Sequence, residues 1–368
     1  MRYYIVSGEA SGDLHASNMV LELKKLDRKA EIRAWGGDRL SAQGATLVKH
    51  IKDLSFMGFL EVIKNIRTIS GFLRLCKKDL KEYAPDVLVL VDYPGFNLRI
   101  APYAKTLGIK VVYYISPQVW AWKKKRVFTI EKVVDRMMAI LPFEKDFYKK
   151  YNINIDFVGH PLLDEVAKFK SAGIPELLEK EDKRPIIALL PGSRKQEISK
   201  MLPEMIEAAN YFPDYKFVIA GAPSQKASFY HEFMQESKIE LIFGKTYDLL
   251  HSSHAALVTS GTATLETALF NVPQVVCYRT SGFSYQIGKR LINVPFISLV
   301  NLILNKEVVS ELVQDECNAS RMQTELKLIL DGVKREEMLD AYQVLKTKLG
   351  GTGASLNAAK IVLETANS

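Results

Sequence analysis

The chain has 368 residues, of which 48% are hydrophobic and 25% are charged, with a formal net charge of +8. This composition excludes a disordered chain, and the length predicts two domains, because single cores stop growing at roughly 250–300 residues. Three isolated cysteines exclude a disulfide framework or a zinc site, and no helix-turn-helix, zinc-finger or basic-aromatic pattern supports binding to nucleic acid. No apolar run approaches the roughly 18 residues of a membrane span, and the N-terminus enters a strand without a signal-like segment. We therefore expect a cytoplasmic protein that can meet a membrane only at its surface.

Short apolar runs alternate with helix-period segments through the first half of the chain. Continuous apolar runs spaced by helices are typical of parallel strands that are buried on both faces. The predicted strands are Tyr3–Val6, Ile32–Trp35, Val87–Val91 and Val111–Ile115, with a loop over Gly8–Asp13 and a helix over about Leu14–Leu26 after the first strand.

The same alternation restarts after a stretch without strand pattern, which contains the charge run Glu179–Arg184. We place the domain boundary between Leu163 and Arg184, which gives domains over 1–165 and 166–345 and a C-terminal helix over 346–368 that can pack back on the first domain. This pattern predicts an α/β protein with two doubly wound, Rossmann-like domains and a ligand cleft between them, at the carboxyl ends of the strands. The strands of the second half are Pro185–Leu190, Lys216–Ala220, Ala255–Val258 and Pro273–Tyr278.

The segment Leu189–Arg194 runs from a buried strand through a glycine turn into a helix. Backbone N–H groups at a helix start attract anions, and the Ser193 hydroxyl and the Arg194 guanidinium add a donor and a charge beside Gly192. The segment therefore suits a diphosphate. The alternative interpretation is an ordinary strand-to-helix turn with an exposed arginine.

A second motif, Ser260–Glu266, also follows a strand and opens a helix. Ser260, Gly261 and Thr262 suit phosphate contact, and Glu266 lies one turn further, where it could accept hydrogen bonds from a ribose diol. The alternative is a hydroxyl N-cap with the glutamate as its capping-box partner. Two such motifs in one half of the chain favour the nucleotide.

Asp92 directly follows the apolar strand Val87–Val91 and precedes Pro94-Gly95. A carboxylate there could act as a general base on an attacking hydroxyl, or it could simply begin a turn.

The loop Gly8–Asp13 is not G-x-G-x-x-G, so a dehydrogenase is not supported. In that loop, Asp13 could cap the helix that follows. His15, just after the loop, could contact a ligand or be a buried helix residue.

The segment from Ser116 to Arg126 contains Trp120, Trp122 and four cations. It could stack on a sugar, receive a phosphate or engage lipid head groups, or its tryptophans could belong to the core. No D-x-D pair occurs in the chain, so a divalent metal on a diphosphate has no evident carboxylate ligands and we expect no metal and no cofactor.

A basic amphipathic pattern covers Phe56–Lys81 and suits an anionic membrane surface. We expect Gly71 to divide it into two helices. The alternative is that the apolar stripe packs on the first domain and the cations are merely solvated. The apolar positions are Phe59, Val62, Ile63, Ile66, Leu73, Cys76 and Leu80, and the basic ones Lys64, Arg67, Arg74, Lys78 and Lys81.

Together these motifs resemble the lipid A disaccharide synthase family, in the right order from about residue 6 to 317. The two most characteristic are Gly8–Asp13 and Ser116–Trp122. The other matching segments are Phe56-Met57-Gly58 with Glu61-Val62, Leu141–Glu144, Phe157–Pro161, Leu190–Arg194, Ser260–Glu266, and Ile297-Ser298-Leu299 with Asn301-Leu302.

The resemblance implies a metal-independent, inverting glycosyltransferase of lipid A synthesis at the cytoplasmic face of the inner membrane. Such an enzyme transfers 2,3-diacylglucosamine from its UDP donor to the 6-hydroxyl of 2,3-diacylglucosamine 1-phosphate, which gives a β-1,6 disaccharide and UDP. The first domain would bind the acceptor and the second the nucleotide sugar.

For the site, the resemblance implies Asp92 as the base, with Glu9 and Asp13 as further candidates, because the family often has a second Asp where this chain has Gly95. The implied partners are the two substrates and an anionic membrane surface. The implied substrate contacts are Gly192, Ser193, Arg194, Ser260, Gly261, Thr262, Glu266, Asn301, Trp120 and Trp122.

Two other functions stay open at this level. A UDP-sugar 2-epimerase would use the same twin-domain fold, with several acids and histidines in the cleft. A non-catalytic module for anionic lipid would need no nucleotide motifs, and the two motifs of the second half argue against it.

Overall fold

The computed structural model describes residues 1–54, 66–122, 124–173, 182–234, 237–280 and 294–368. The chain divides into two compact units, one of Met1–Asp164 with Leu349–Ser368, and one of Glu165–Lys348. The division between them falls inside the helix Leu162–Ser171, and the last helix of the chain belongs to the first unit.

The first unit contains a seven-stranded parallel sheet with the strand order β3-β2-β1-β4-β5-β6-β7. Its strands are β1 (Arg2–Ser7), β2 (Glu31–Gly36), β3 (Thr46–His50), β4 (Val87–Val91), β5 (Lys110–Tyr114), β6 (Arg136–Ala139) and β7 (Asp156–Phe157). Its helices are α1 (Ala10–Leu26), α2 (Asp38–Ala42), α3 (Ile66–Tyr83), α4 (Pro94–Thr106), α5 (Val127–Val133) and α6 (Pro142–Lys149), with α7 (Leu162–Ser171) at the boundary and 3-10 turns at Ile51–Asp53 and Lys124–Arg126.

The central strand β4 explains why these residues form a buried parallel sheet. Successive side chains of a strand point to opposite faces, so Leu88 and Leu90 enter one hydrophobic core while Val87, Val89 and Val91 enter the other. A run of five apolar residues therefore suits a strand with helices on both faces.

The C-terminal helix α15 (Ala354–Asn367) completes one of these two cores. Its small residues Ala358 and Ala359 and its Val362 are fully buried in the cluster that also contains Ala16 and Met19 of α1. Small side chains let two helices approach closely over the sheet.

The second unit contains a six-stranded parallel sheet with the order β10-β9-β8-β11-β12-β13. Its strands are β8 (Ile186–Leu190), β9 (Lys216–Gly221), β10 (Glu240–Phe243), β11 (Ser253–Thr259), β12 (Gln274–Tyr278) and β13 (Glu311–Val313). Its helices are α8 (Lys195–Ala209), α9 (Ala227–Met234), α10 (Thr246–Ser252), α11 (Thr262–Leu269), α12 (Leu299–Leu304), α13 (Ala319–Leu330) and α14 (Val333–Lys348), with a 3-10 turn at Gln314–Glu316.

Two local predictions were wrong. Helix α1 begins at Ala10, so most of the expected loop Gly8–Asp13 is the first turn of a helix. Helix α3 is continuous through Gly71, because the cost of about 1 kcal/mol for a helical glycine is small beside the packing of Phe72 and Leu73 on the core.

The apolar side of α3 packs on the first unit, as the alternative interpretation of Phe56–Lys81 held. Cys76 and Leu80 are fully buried and Leu73 is packed against the same core, whereas Arg74 and Lys81 are exposed. The remaining positions of the predicted pattern lie outside the described residues. They are the apolar Phe59, Val62 and Ile63, the side chain of Ile66, and the basic Lys64.

Candidate active site

Each unit has one place where the strand order reverses, and ligands of doubly wound sheets bind there, at the carboxyl ends of the strands. In the first unit the reversal lies between β1 and β4, and in the second between β8 and β11. The sequence motifs with candidate chemistry follow these four strands.

In the first unit, Gly8-Glu9 and Asp92 are brought together at this edge. Ser7 and Val91 are opposite each other in the β1–β4 pair, so the residues that follow them are neighbours. A Cβ atom on Gly8 would lie 2.4 Å from the Tyr93 ring, which explains why the close approach requires glycine.

The backbone at Asp92 is strained and firmly held. Asp92 and Tyr93 both have left-handed conformations, with φ of 46° and 48°. The Asp92 carbonyl accepts hydrogen bonds from Asn97 Nδ2 and from the Tyr113 hydroxyl, both at 2.6 Å, and its N–H donates to the Tyr114 carbonyl at 3.0 Å. Such strain persists only where surrounding contacts fix it, and it concentrates at functional sites.

The Asp92 carboxyl is mostly shielded from solvent. Burial, reinforced by the nearby negative charge of Glu9, raises the pKa of Asp92 to about 6, while a hydrogen bond from the Tyr93 N–H acts in the opposite direction. A pKa close to the working pH suits a general base, since the group is mostly ionised and still able to hold a proton. Glu9 is half-buried at the N-cap of α1 and has no capping hydrogen bond from its side chain.

The Asp13 carboxylate accepts hydrogen bonds from backbone N–H groups of the first unit. One carboxylate oxygen accepts from the Gly37 N–H at 2.6 Å and the Leu40 N–H at 3.3 Å, and the other from the Arg39 N–H at 3.1 Å. Asp13 thus caps α2, a neighbouring helix and not its own. His15 is also buried, and burial lowers its pKa to about 4, with the charge of Asp164 opposing the shift, so its imidazole is neutral at physiological pH.

In the second unit, Gly192–Arg194 and Ser260–Thr262 are likewise brought together, because Leu190 and Val258 are paired in the β8–β11 register. Ser193, Arg194, Gly261 and Thr262 are exposed at this edge. Hydroxyls, a guanidinium and the start of α11 therefore lie at the same edge of the sheet, a combination that suits a diphosphate.

The start of α8 carries an internal anion that the sequence interpretation missed. Glu197 Oε2 accepts from the N–H groups of Ser193 and Arg194 at 3.1 and 3.2 Å, and Glu197 Oε1 accepts from Arg194 Nη1 at 3.1 Å. Gly192, with φ of 107°, leaves room for this carboxylate, because a Cβ there would lie 2.7 Å from Glu197 Oε2. A ligand that uses these two N–H groups must displace Glu197, an acid whose place in the first turn of the predicted helix was visible in the sequence.

Ser260 and Glu266 are positioned by partners distant in sequence. Ser260 Oγ donates to the Ile297 carbonyl at 3.0 Å, and the Tyr247 hydroxyl donates to Glu266 Oε1 at 2.8 Å. Burial raises the pKa of Glu266, with the nearby Glu165 adding to the effect and the Tyr247 bond opposing it. Tyr247 precedes Glu266 by 19 residues on a different helix, so no local pattern could have indicated it.

The two tryptophans of Ser116–Trp122 differ in environment. Trp120 Nε1 donates to Glu144 Oε1 at 3.3 Å, and the Trp120 ring packs edge-on against Phe143 at 4.9 Å. Trp122 is 41% exposed, with the Arg126 guanidinium 5.7 Å from its ring centroid.

Asn301 is fully buried and uses its whole hydrogen-bonding capacity within the chain. Its Nδ2 donates to the Val309 carbonyl and to Glu311 Oε1, both at 2.8 Å, and its Oδ1 accepts from the N–H groups of Val308 and Val309. An asparagine side chain has two donors and two acceptor positions, so these contacts leave none for a ligand.

Across the described ranges, no group of three or more His, Cys, Asp or Glu side chains is arranged to hold a metal ion. In the same part of the chain, no helix combines the length and the apolar character that a bilayer crossing needs.

Comparison with known families gives a match over nearly the whole chain. A family model described as lipid-A-disaccharide synthetase matches residues 3–364. The chain is 40% identical to the lipid-A-disaccharide synthase of Myxococcus xanthus over 371 residues, covering 99% of this chain and 97% of that protein. It is 38% identical to the protein of the same name from Geobacter metallireducens, with the same coverage.

Solved structures with the same fold include the glycotransferase of kitacinnamycin, with a TM-score of 0.70, 13% identity and 99% of both chains covered. They also include UDP-GlcNAc 2-epimerase from Neisseria meningitidis, bound to UDP-GlcNAc, with a TM-score of 0.66, 15% identity and 99% of both chains covered. At such identities the likeness shows the fold alone, which is the predicted pair of parallel-sheet α/β units found in GT-B glycosyltransferases.

Proposed function

The chain belongs to the lipid-A-disaccharide synthase family, and we propose that its first unit supplies the base of the reaction and its second unit holds the nucleotide. The protein is a glycosyltransferase. It moves 2,3-diacylglucosamine from its UDP donor to 2,3-diacylglucosamine 1-phosphate, which forms the β-1,6 lipid A disaccharide and releases UDP.

Asp92 is the proposed general base, and its burial at the reversal point of the first sheet is the observation that carries the proposal. It takes the proton from the acceptor 6-hydroxyl as that oxygen attacks the anomeric carbon of the donor. Burial and Glu9 bring its pKa to about 6, so that at neutral pH Asp92 is ionised and ready to accept the proton. Asp13 is left out of this role because three backbone N–H groups already bind its carboxylate.

The second unit is proposed to stabilise the UDP leaving group. Arg194, the Ser193 hydroxyl and the start of α11 at Thr262 face the charge that builds on the diphosphate, and Gly192, Ser260 and Gly261 let the chain approach it. Glu266, held by Tyr247, accepts hydrogen bonds from the ribose. These groups supply the positive charge and the donors that a metal ion provides in other transferases, so we expect no metal requirement.

Trp120 and Trp122 are proposed acceptor contacts, since they follow β5, whose carboxyl end lies next to that of β4 and Asp92. Asn301 is not among the proposed donor contacts, because its four hydrogen-bonding positions are satisfied inside the second unit.

Measurement of UDP release tests this function directly. We expect release when both diacyl substrates are present, little when either is omitted, and an unchanged rate in EDTA. Release from UDP-2,3-diacylglucosamine alone, or conversion of UDP-N-acetylglucosamine to its manno epimer, would contradict the proposal. A loss of activity in EDTA that magnesium restores would contradict its metal-independent part.

We also propose that the protein works as a peripheral protein on the cytoplasmic face of the inner membrane, because both substrates carry acyl chains. In α3 the exposed cations Arg67, Arg74 and Lys81 lie on the side opposite the buried residues. This side can meet anionic lipid by charge alone, an attraction that salt screens.

Co-sedimentation with anionic vesicles tests this part. Replacing Arg67, Arg74 and Lys81 with Ser should reduce the bound fraction at low salt, and high salt should reduce binding of the parent protein in the same way. A matched control replaces Arg28, Lys29 and Lys238, which lie elsewhere on the chain. Equal binding by the α3 variant and the parent would exclude this helix as the docking surface.

A further inference from the structure

Glu144 is a buried acid that the proposed mechanism does not use. It lies in the first turn of α6, directly after β6, and β6 is two strands from β4 at the same edge of the first sheet as Asp92. Only 1% of its surface is exposed. Glutamates are almost never this buried unless the fold gives their carboxyl group specific partners.

The partners of Glu144 join two sequence motifs, Ser116–Trp122 and Leu141–Glu144. Its Oε2 accepts from the Leu141 N–H at 3.1 Å and its Oε1 from the Trp120 indole N–H at 3.3 Å. The Ser116 hydroxyl also hydrogen-bonds to the carboxyl group, and Ser116 Oγ is 3.0 Å from the Tyr148 hydroxyl. All of these partners are neutral.

The same polar cluster extends toward the proposed base. Tyr113, on β5, donates its hydroxyl to the Asp92 carbonyl at 2.6 Å. Burial raises the pKa of Tyr113, with the charge of Asp92 and the neighbouring Tyr148 adding to the effect, and burial also raises the pKa of Tyr148, with Glu144 adding to it. The buried groups therefore run from Asp92 through Tyr113 and Tyr148 to Glu144 and the indole of Trp120.

We propose that Glu144 is a positioning residue that fixes the Trp120 indole beside the base, so that the acceptor sugar meets a preformed surface. This inference rests on the proposed function, in which Trp120 contacts the acceptor. Glu144 touches no reacting atom in this account and acts through Trp120.

The protonation state of Glu144 gives this role a measurable signature. Burial raises the pKa of Glu144 to about 8, although the hydrogen bonds from Leu141 and Trp120 oppose the shift. Below that pH the Glu144 carboxyl group is protonated and neutral, which suits its neutral partners. Above it, a buried carboxylate without a cation among its named partners draws in water and loosens the cluster.

Arg126 also acts on this cluster, since its charge opposes the raised pKa of Tyr113. The two tyrosines and Asp92 do not titrate near pH 8. The pKa of Tyr148 is raised above its ordinary value by burial, as is that of Tyr113, so both hydroxyls stay neutral there. Asp92 titrates near 6. We therefore expect kcat/KM for the acceptor to rise through about pH 6 with Asp92 and to fall through about pH 8 with Glu144.

Two substitutions separate positioning from mere stability. Glu144→Gln keeps the shape and one acceptor oxygen, which can serve the Trp120 indole N–H, while its NH2 group cannot accept from the Leu141 N–H. With the Trp120 contact kept, the variant should retain an acceptor KM close to that of the parent, and kcat/KM should no longer fall near pH 8. Glu144→Leu removes the hydrogen bonds and should raise the acceptor KM by roughly tenfold or more, with UDP affinity unchanged. An unaltered fall near pH 8 in Glu144→Gln, or an unaltered KM in Glu144→Leu, would overturn the proposal.

A spectroscopic measurement tests the inference without any activity. The tryptophan emission of the parent protein should change between pH 7 and 9 with a midpoint near 8, because the indole N–H of Trp120 loses its neutral partner. Glu144→Gln and Trp120→Phe should both abolish this change, while Trp35 and Trp122 continue to emit. A transition that persists in Glu144→Gln would overturn the inference even if Glu144→Leu does not fold. If the transition behaves as expected but no UDP is released, the proposed function fails and the Glu144–Trp120 coupling stands.

Discussion

The two units present the same position of the same fold to a ligand but place different chemical groups there. At the reversal point of the first sheet stand two carboxylates, Glu9 and Asp92. At that of the second stand Ser193, Arg194 and Thr262, beside two glycines. Topology therefore fixes where each unit can bind, and the residues after the strands decide what it can bind.

The helices that begin at these two positions differ in the charge that they offer to a diphosphate. The start of a helix attracts negative charge, and α1 places Glu9 at its N-cap, so an added diphosphate there would face like charge. At the start of α8 the internal anion Glu197 is balanced by Arg194, to which it is paired. A diphosphate can replace Glu197 there and gain the guanidinium. The nucleotide is thus expected in the second unit and the base in the first.

The largest expected effect comes from removing the charge of the first unit. Asp92→Asn keeps the size of the side chain but cannot accept the proton, so turnover should fall by roughly a hundredfold or more. Circular dichroism should show that the fold survives. Near-normal turnover would remove Asp92 from the mechanism, and Glu9 would then be the carboxylate to test.

The second effect concerns the cation of the second unit. Arg194→Ala should weaken UDP binding by roughly 10- to 100-fold, in line with about 1.5–3 kcal/mol for a hydrogen bond to a charged group. Calorimetric titration with UDP measures this. Arg184→Ala is a matched control, because Arg184 is also an exposed arginine paired with an acid, Asp182, but it precedes β8 and therefore lies at the opposite end of that strand. Equal losses in both variants would show a general charge effect.

A smaller effect is expected from the contact that holds Glu266. Tyr247→Phe removes the hydroxyl that donates to Glu266 Oε1, so the carboxylate that we propose to bind the ribose loses its orientation. UDP affinity should fall by roughly fivefold, which corresponds to about 1 kcal/mol for one hydrogen bond. Affinity for inorganic pyrophosphate, which lacks the ribose, should not change. An equal loss of affinity for UDP and for pyrophosphate would show that Tyr247 acts through the general stability of the unit.

The smallest effect is a shift of the pH profile. Glu9→Gln removes a negative charge that helps to raise the pKa of Asp92, so the pKa should fall and the rise of kcat/KM should move to lower pH. Burial, the larger cause, remains, so the gain in rate at pH 5 should stay below the roughly tenfold that a full pH unit gives. A shift to higher pH, or none, would show that Glu9 does not act on Asp92.

The sequence predicted most interior strands of both sheets and missed the strands at their edges. The apolar runs at β1, β4, β8 and β11 mark strands buried on both faces. The four edge strands β3, β7, β10 and β13 were all missed, because an edge strand is short and half exposed. The interior strand β6 was missed as well, because it has only 4 residues although three of them are buried. In sequence, a strand that is short and half exposed cannot be distinguished from a loop.

The candidate site shows a similar limit. Asp92, Arg194 and Ser260–Thr262 could be proposed because each follows a recognisable strand. The roles of Asp13 and Asn301 depend on N–H groups that tertiary structure brings near, such as those of Gly37 for Asp13. Local sequence could suggest a polar function for these side chains but could not show that the chain itself uses them.

The division of labour between the units is tested most directly by measuring UDP affinity in Asp92→Asn. We predict a dissociation constant within about twofold of that of the parent protein, alongside a turnover reduced by roughly a hundredfold or more. A loss of UDP affinity comparable to that of Arg194→Ala would show that Asp92 belongs to the nucleotide site, and the assignment of base and nucleotide to separate units would be contradicted.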